Sequence, residues 1–128
     1  VDQAAADLGR SPQCCLQVKF LPDPPKYGFA LPQLQLELPQ LDQLTHLQIR
    51  GLMTIPPQGS SISTIEKVFS QAKVLATTIN DSHYQRIHID QLSMGMSGDY
   101  PLAIAAGTTM IRLGTTLFGP RPERSSII

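Results

Sequence analysis

The 128 residues contain no run approaching the roughly 20 apolar residues that a membrane-spanning helix needs. An excess of one charge is missing as well: ten Lys and Arg stand against ten Asp and Glu. No Lys/Arg cluster offers the counterion release on which nucleic-acid affinity rests. Neither membrane nor nucleic acid is therefore an expected partner. Cysteine is scarce, and the two present, Cys14 and Cys15, are neighbours. Adjacent strand residues point to opposite faces, so a bond between them would be strained. They cannot staple distant parts of a fold, and a reduced, cytoplasmic protein is the expectation. Metal ligands are few too. Among His46, His83 and His88 no pair stands i,i+4, and neither cysteine has zinc-finger spacing. Structural zinc sites need four ligands at characteristic spacings, so no metal site is expected.

What is present suits a packed core. Apolar residues make up 41% of a chain whose length fits one domain or part of a larger one. Residues 1–8 hold helix formers followed by Gly9, the usual residue just past a helix end. A helix this short is marginal alone in water, so the opening reads as the tail of a longer helix and the chain as a fragment. Cys14 to Phe20 reads as a strand between Pro12 and Pro22. Leu31 to Thr45 is ambiguous: Leu34, Leu36 and Leu38 alternate like a strand, while Leu31, Leu34, Leu38 and Leu41 share a helical face. Pro39 favours a short, interrupted helix. Leu47 to Ile55 is a strand closed by Pro56 and Pro57. Ser63 and Glu66 form a capping box, and Ile65, Val68, Phe69, Ala72, Ala76 and Ile79 then line one face of an amphipathic helix. A third strand spans about His88 to Met94, a short helix Asp99 to Ala106, and a fourth strand Thr109 to Leu117.

Strands alternating with helices specify a parallel sheet with right-handed crossovers. The fold class is therefore α/β: four parallel strands alternating with helices over residues 1–128. Four such repeats amount to the C-terminal half of a (β/α)8 TIM-type barrel of about 250 residues. An open four-stranded sheet is the alternative.

The candidate chemistry lies in the last third, in Leu92 to Asp99 and Ile111 to Thr116. Both segments fall at C-terminal strand ends, where barrel enzymes keep their sites and where the last loops commonly hold phosphate. Ser97 ends a strand before a helix, so its hydroxyl and nearby amides face an anion at a positive helix end. Gly114 lets backbone approach a ligand, Thr115 adds an amide and a hydroxyl, and Arg112 adds a permanent charge. Taken singly, Ser97 is equally a helix cap, Gly114 a tight turn and Arg112 a surface ion pair. Together they define an anion site, with phosphate favoured.

These residues carry a resemblance. Leu92-Ser93-Met94-Gly95-Met96-Ser97-Gly98-Asp99, then Ala103 to Thr115, then Phe118-Gly119-Pro120-Arg121 closely resemble the C-terminal signature of the pyridoxal-phosphate homeostasis protein family, small barrels related to the alanine racemase N-terminal domain. Lys26-Tyr27-Gly28-Phe29 resembles that family's K-x-G-F and Gly51-Leu52-Met53-Thr54-Ile55 its G-L-M-T-I. The resemblance implies a binder of pyridoxal 5′-phosphate: Ser97, Gly114 and Thr115 at the cofactor phosphate, Arg112 facing the pyridine nitrogen. Met53 lines the ring or is a core methionine. It also implies that the Schiff-base lysine lies on a first strand that this chain lacks. None of Lys19, Lys26, Lys67 and Lys73 matches it. The implied function is a non-catalytic carrier and regulator in vitamin B6 and amino-acid homeostasis, with no catalytic residue. A racemase-like enzyme fragment and an unrelated phosphate-binding protein are the alternatives.

Overall fold

The computed structural model describes residues 1–123, so residues 124–128 of the expected 1–128 unit lie outside the described residues. The elements run α1 (Asp2–Asp7), β1 (Gln13–Lys19), β2 (Phe29–Ala30), α2 (Leu31–Leu41), β3 (Gln48–Met53), α3 (Ile62–Asp81), β4 (Ile87–Met96), α4 (Tyr100–Ala105), β5 (Met110–Arg112) and α5 (Thr115–Phe118). One sheet of order β2-β1-β3-β4-β5 results, with every pair parallel. The expected alternation is present, but the expected four strands become five. The addition is a two-residue strand, Phe29–Ala30, paired with Val18 and Lys19. Two residues carry no readable period, so hydrophobic spacing could not reveal it.

Local chemistry explains most boundaries. Gly9, at φ 61°, ends α1 by letting Arg10 N–H donate to the Ala5 carbonyl and Gly9 N–H to the Ala6 carbonyl, a paired closure that satisfies the helix's last acceptors. Pro39 does not interrupt α2, which runs from Leu31 to Leu41 with Leu34 and Leu38 buried. It stands in the final turn, and the helix ends two residues later at Leu41. The cap of α3 lies two residues earlier than the expected box. Ser61 is the cap, and its hydroxyl accepts from Thr64 N–H at 3.2 Å; Glu66 takes no part. The final strand is shorter than expected and stops at Arg112, because the chain turns into α5, closed by Phe118 N–H donating to the Gly114 carbonyl.

Helices α2, α3 and α4 share one core with the sheet. Leu16, Val18, Ile49, Leu52, Ile87, Ile89, Leu92 and Met94 meet Leu34, Leu38, the buried face of α3 and Ala103. That α3 face comprises Val68, Phe69, Ala72, Leu75, Ala76 and Ile79, as the period indicated, with Leu75 in addition and Ile65 only partly buried. Gly95, at φ 100°, is where α4 presses closest on β4. A Cβ there would stand 2.7 Å from Ala103 Cβ and 3.2 Å from Tyr100 Cα. Register slips between β3 and β4 around Arg50 and between β4 and β5 after Ser93. Side chains complete the ladder at these slips: Asn80 of α3 accepts from Ile89 N–H at 2.7 Å and donates to the Ile89 carbonyl at 2.8 Å, and the Thr108 hydroxyl donates to the Leu92 and Met94 carbonyls.

Asn80→Ala removes both partners of the Ile89 peptide inside the sheet. The expected loss is about 1–3 kcal/mol, against a negligible change for the exposed control Lys67→Ala, read by urea denaturation.

Candidate functional site

Parallel strands place all their C-terminal ends on one rim. There the β4–α4 and β5–α5 loops meet. Ser97 does not cap α4, so the plain helix-cap alternative does not describe it. Asp99 occupies that position and accepts from Met96 N–H through Oδ1 at 2.7 Å. The Ser97 hydroxyl instead accepts from Gly114 N–H at 3.2 Å and Thr116 N–H at 3.1 Å, so it sits at the start of α5. Ser97, Gly114 and Thr115, chosen from sequence as three separate positions, therefore stand together. With Arg112 they line a cleft of about 720 Å³, joined by Met96, Gly98, Phe118 and Arg121. Gly114 is at φ −120° and ψ −78°, and a Cβ there would meet nothing within 4 Å.

Arg112 reaches back from β5 across the sheet. Its Nη1 donates to Ser93 Oγ at 2.5 Å and its Nη2 to the Thr54 carbonyl at 3.3 Å. Desolvation pushes the guanidinium below its ordinary value, while Asp99 and Cys15 oppose that shift. The Cys15 thiol is pushed up by desolvation and by neighbouring Cys14, with Arg112 pulling the other way. Met53 does not reach this cleft. It is half-buried on β3, in register with Gln17 and Ser93, one residue before Thr54.

A second cleft of about 560 Å³ adjoins the first through Met96 and Gly98, and its far wall carries Lys26. Lys26 Nζ pairs with Asp23 Oδ2 at 3.0 Å and donates to the Pro56 carbonyl at 3.0 Å. The sequence reading assigned no role to Ser93, Thr54, Arg121 or Asp99. All four lay inside the quoted motifs, but nothing in their spacing marks them as neighbours of Arg112. Among the described residues no three His, Cys, Asp or Glu side chains gather to hold a metal, and no helix is long and apolar enough to cross a membrane. Both cysteines are free.

A parallel α/β sheet with an anion-suited rim is a widespread arrangement, and comparison with known proteins narrows it. Residues 1–122 match the family described as alanine racemase, N-terminal domain, and the chain belongs to that family. Within it, the chain groups with the pyridoxal phosphate homeostasis proteins. It is 52% identical over 121 residues to the one from Synechocystis sp., covering 94% of this chain and 55% of that protein. To the one from Escherichia coli (strain K12) it is 37% identical over 106 residues, covering 83% and 44%. The chain spans about half the length of the curated relatives it matches. Among solved structures, PipY of Synechococcus elongatus PCC7942 with PLP bound is similar at TM-score 0.85 and 48% identity, over 92% of this chain and 54% of that one. An unknown protein from Bifidobacterium adolescentis is similar at TM-score 0.82 and 30% identity, over 91% and 47%.

The electrostatics of Cys15 give a pH dependence. A raised thiol has less thiolate at a given pH, so alkylation of Cys15 by iodoacetamide should reach half its limiting rate above the pH of about 8.5 usual for a free cysteine. Arg112→Ala removes the cation that favours the thiolate and should move that midpoint higher still. Mass spectrometry of the peptide, resolving Cys15 from Cys14, reads both.

Proposed function

We propose that this chain is the C-terminal half of a pyridoxal 5′-phosphate-holding barrel, acting as a carrier and regulator in vitamin B6 and amino-acid homeostasis and not as a classical catalyst. The observation that carries the reading is the convergence of Ser97, Gly114, Thr115 and Arg112 on one cleft at the rim of an all-parallel sheet. PipY, which has PLP bound, and the relatives named pyridoxal phosphate homeostasis proteins support it. Two further features support the half-barrel. Helices α2, α3 and α4 pack into one core with an all-parallel sheet, the layering of a barrel wall. The chain also matches about half of each relative.

The residues fit such a cofactor. The Arg121 guanidinium, two hydroxyls and the open space beside Gly114 suit a phosphate, while Met96 and Phe118 offer apolar surface to a ring. When bound, the cofactor supplies an electron-withdrawing ring and a reactive aldehyde. The chain's own residues do the rest. Ser97 holds the β5–α5 turn with its lone pairs and keeps its hydroxyl proton to donate to a phosphate oxygen. Thr115 contributes a second hydroxyl. Arg112 would present a permanent cation to the ring nitrogen of a bound cofactor and disfavour its protonation, which would restrain acid–base chemistry on an amino acid. No lysine is held in the Ser97 cleft among the described residues; Lys26 lines only the adjoining one.

Two tests follow from these assignments. Borohydride reduction of this chain with the cofactor, followed by mass spectrometry, should give no stoichiometric phosphopyridoxyl adduct at Lys19, Lys26, Lys67 or Lys73. Steady racemisation of alanine by the chain, or by a barrel completed with a relative's N-terminal half, would instead favour an enzyme. In that completed barrel, Gly114→Val should weaken cofactor binding on the order of a hundredfold, the weight of displaced hydrogen bonds to a charged group. Its cofactor-free melting temperature should hardly move, because the added side chain meets open space. Ser97→Ala should lower both affinity, roughly ten- to a hundredfold, and melting temperature, since it loses a phosphate contact and the anchor of α5. A spectral titration unchanged by Ser97→Ala contradicts the phosphate role.

A further inference from the structure

Arginine is long and flexible, so a guanidinium that must face one atom needs other contacts to fix its plane. Arg112 stands on a strand of only three residues, with Met110 and Ile111 exposed beside it, and β5 alone cannot hold it. Both of its Nη atoms are held from neighbouring strands. Nη1 donates to Oγ of Ser93 on β4, a residue 9% exposed, and Nη2 donates to the Thr54 carbonyl just past β3. Thr54 is 2% exposed and has no freedom to drift: its hydroxyl donates to the Val18 carbonyl at 2.9 Å and its N–H to the Ser93 carbonyl at 3.2 Å. The acceptor pair that receives the fork is thus tied to itself and to β1.

We propose that Ser93, backed by Thr54, is a positioning residue for Arg112: it fixes the orientation of the guanidinium and, through it, the protonation of the cofactor's ring nitrogen. The second half of this assignment rests on the cofactor reading above; the first half does not. A serine that only satisfied a half-buried arginine would affect stability. One that positions it affects how the guanidinium turns and what a bound ring absorbs.

The experiment has two arms, both on the full chain. Without cofactor, NMR of arginine labelled with 13C and 15N should show separate Nη signals for Arg112, the mark of slow guanidinium rotation. Ser93→Ala should speed that rotation roughly ten- to a hundredfold, the weight of one hydrogen bond to a charged group, and Ser93→Thr should restore it. Merged Arg112 signals in the unaltered chain, or rotation unchanged by Ser93→Ala, overturn the positioning role. With pyridoxal 5′-phosphate added, Ser93→Ala should shift the pH at which the cofactor's absorption band changes, and Ser93→Thr should return it. A band and titration identical to those of the unaltered chain overturn the ring step, and a lower melting temperature as the sole effect of Ser93→Ala assigns it a structural role only. If the unaltered chain gives no spectral change with the cofactor while the NMR arm behaves as expected, the cofactor reading and the ring step fall together for this chain, and the positioning of Arg112 stands.

Discussion

Thr54 makes three hydrogen bonds to three different strands. Its hydroxyl goes to β1, its N–H to β4, and its carbonyl receives the guanidinium of β5. It is almost wholly buried, so each of these groups would be costly to leave without a partner. The rim of the sheet depends on that residue. It follows the last residue of β3, binds the Ser93 carbonyl beside it, and accepts one Nη of Arg112 while Ser93 Oγ accepts the other.

From that point the site follows from direction. Parallel strands deliver their loops to the same rim, and register slips beside Arg50 and after Ser93 let those loops meet instead of running past each other. Asn80 and Thr108 take over the ladder where the slips leave peptide groups short of strand partners. Gly95 then brings α4 close to β4, so that Ser97 stands within reach of the first amides of α5. One hydroxyl joins two loops, and the cleft lies where they join.

Elements with a period were legible in the sequence. The face of α3, the β3 and β4 cores and the end of α1 at Gly9 all appear close to where hydrophobic spacing and the glycine placed them. Elements too short to show a period were not. Phe29–Ala30 is a strand only because Val18 and Lys19 lie alongside it, and α5 is a single turn. Pro39 argued for a break, yet the burial of Leu34 and Leu38 keeps α2 continuous. The cap of α3 moved to Ser61 because Ser61 takes an extended backbone at the end of the preceding loop, and a capping hydroxyl works only from that conformation.

The sequence by itself determined the α/β alternation, the absence of any apolar run long enough to span a membrane, and the residue types of the rim, since composition, period and motif are properties of the chain read in order. Only the tertiary structure decided which groups meet. Ser97 serves α5 and not the helix that follows it, Met53 stays on the sheet face and outside the cleft, and Arg112 is held by Ser93 and the Thr54 carbonyl from two other strands. Those pairings span up to 58 positions of sequence and are fixed by strand register. Register is a relation between segments, settled by the packing of all of them at once, and no single segment contains it.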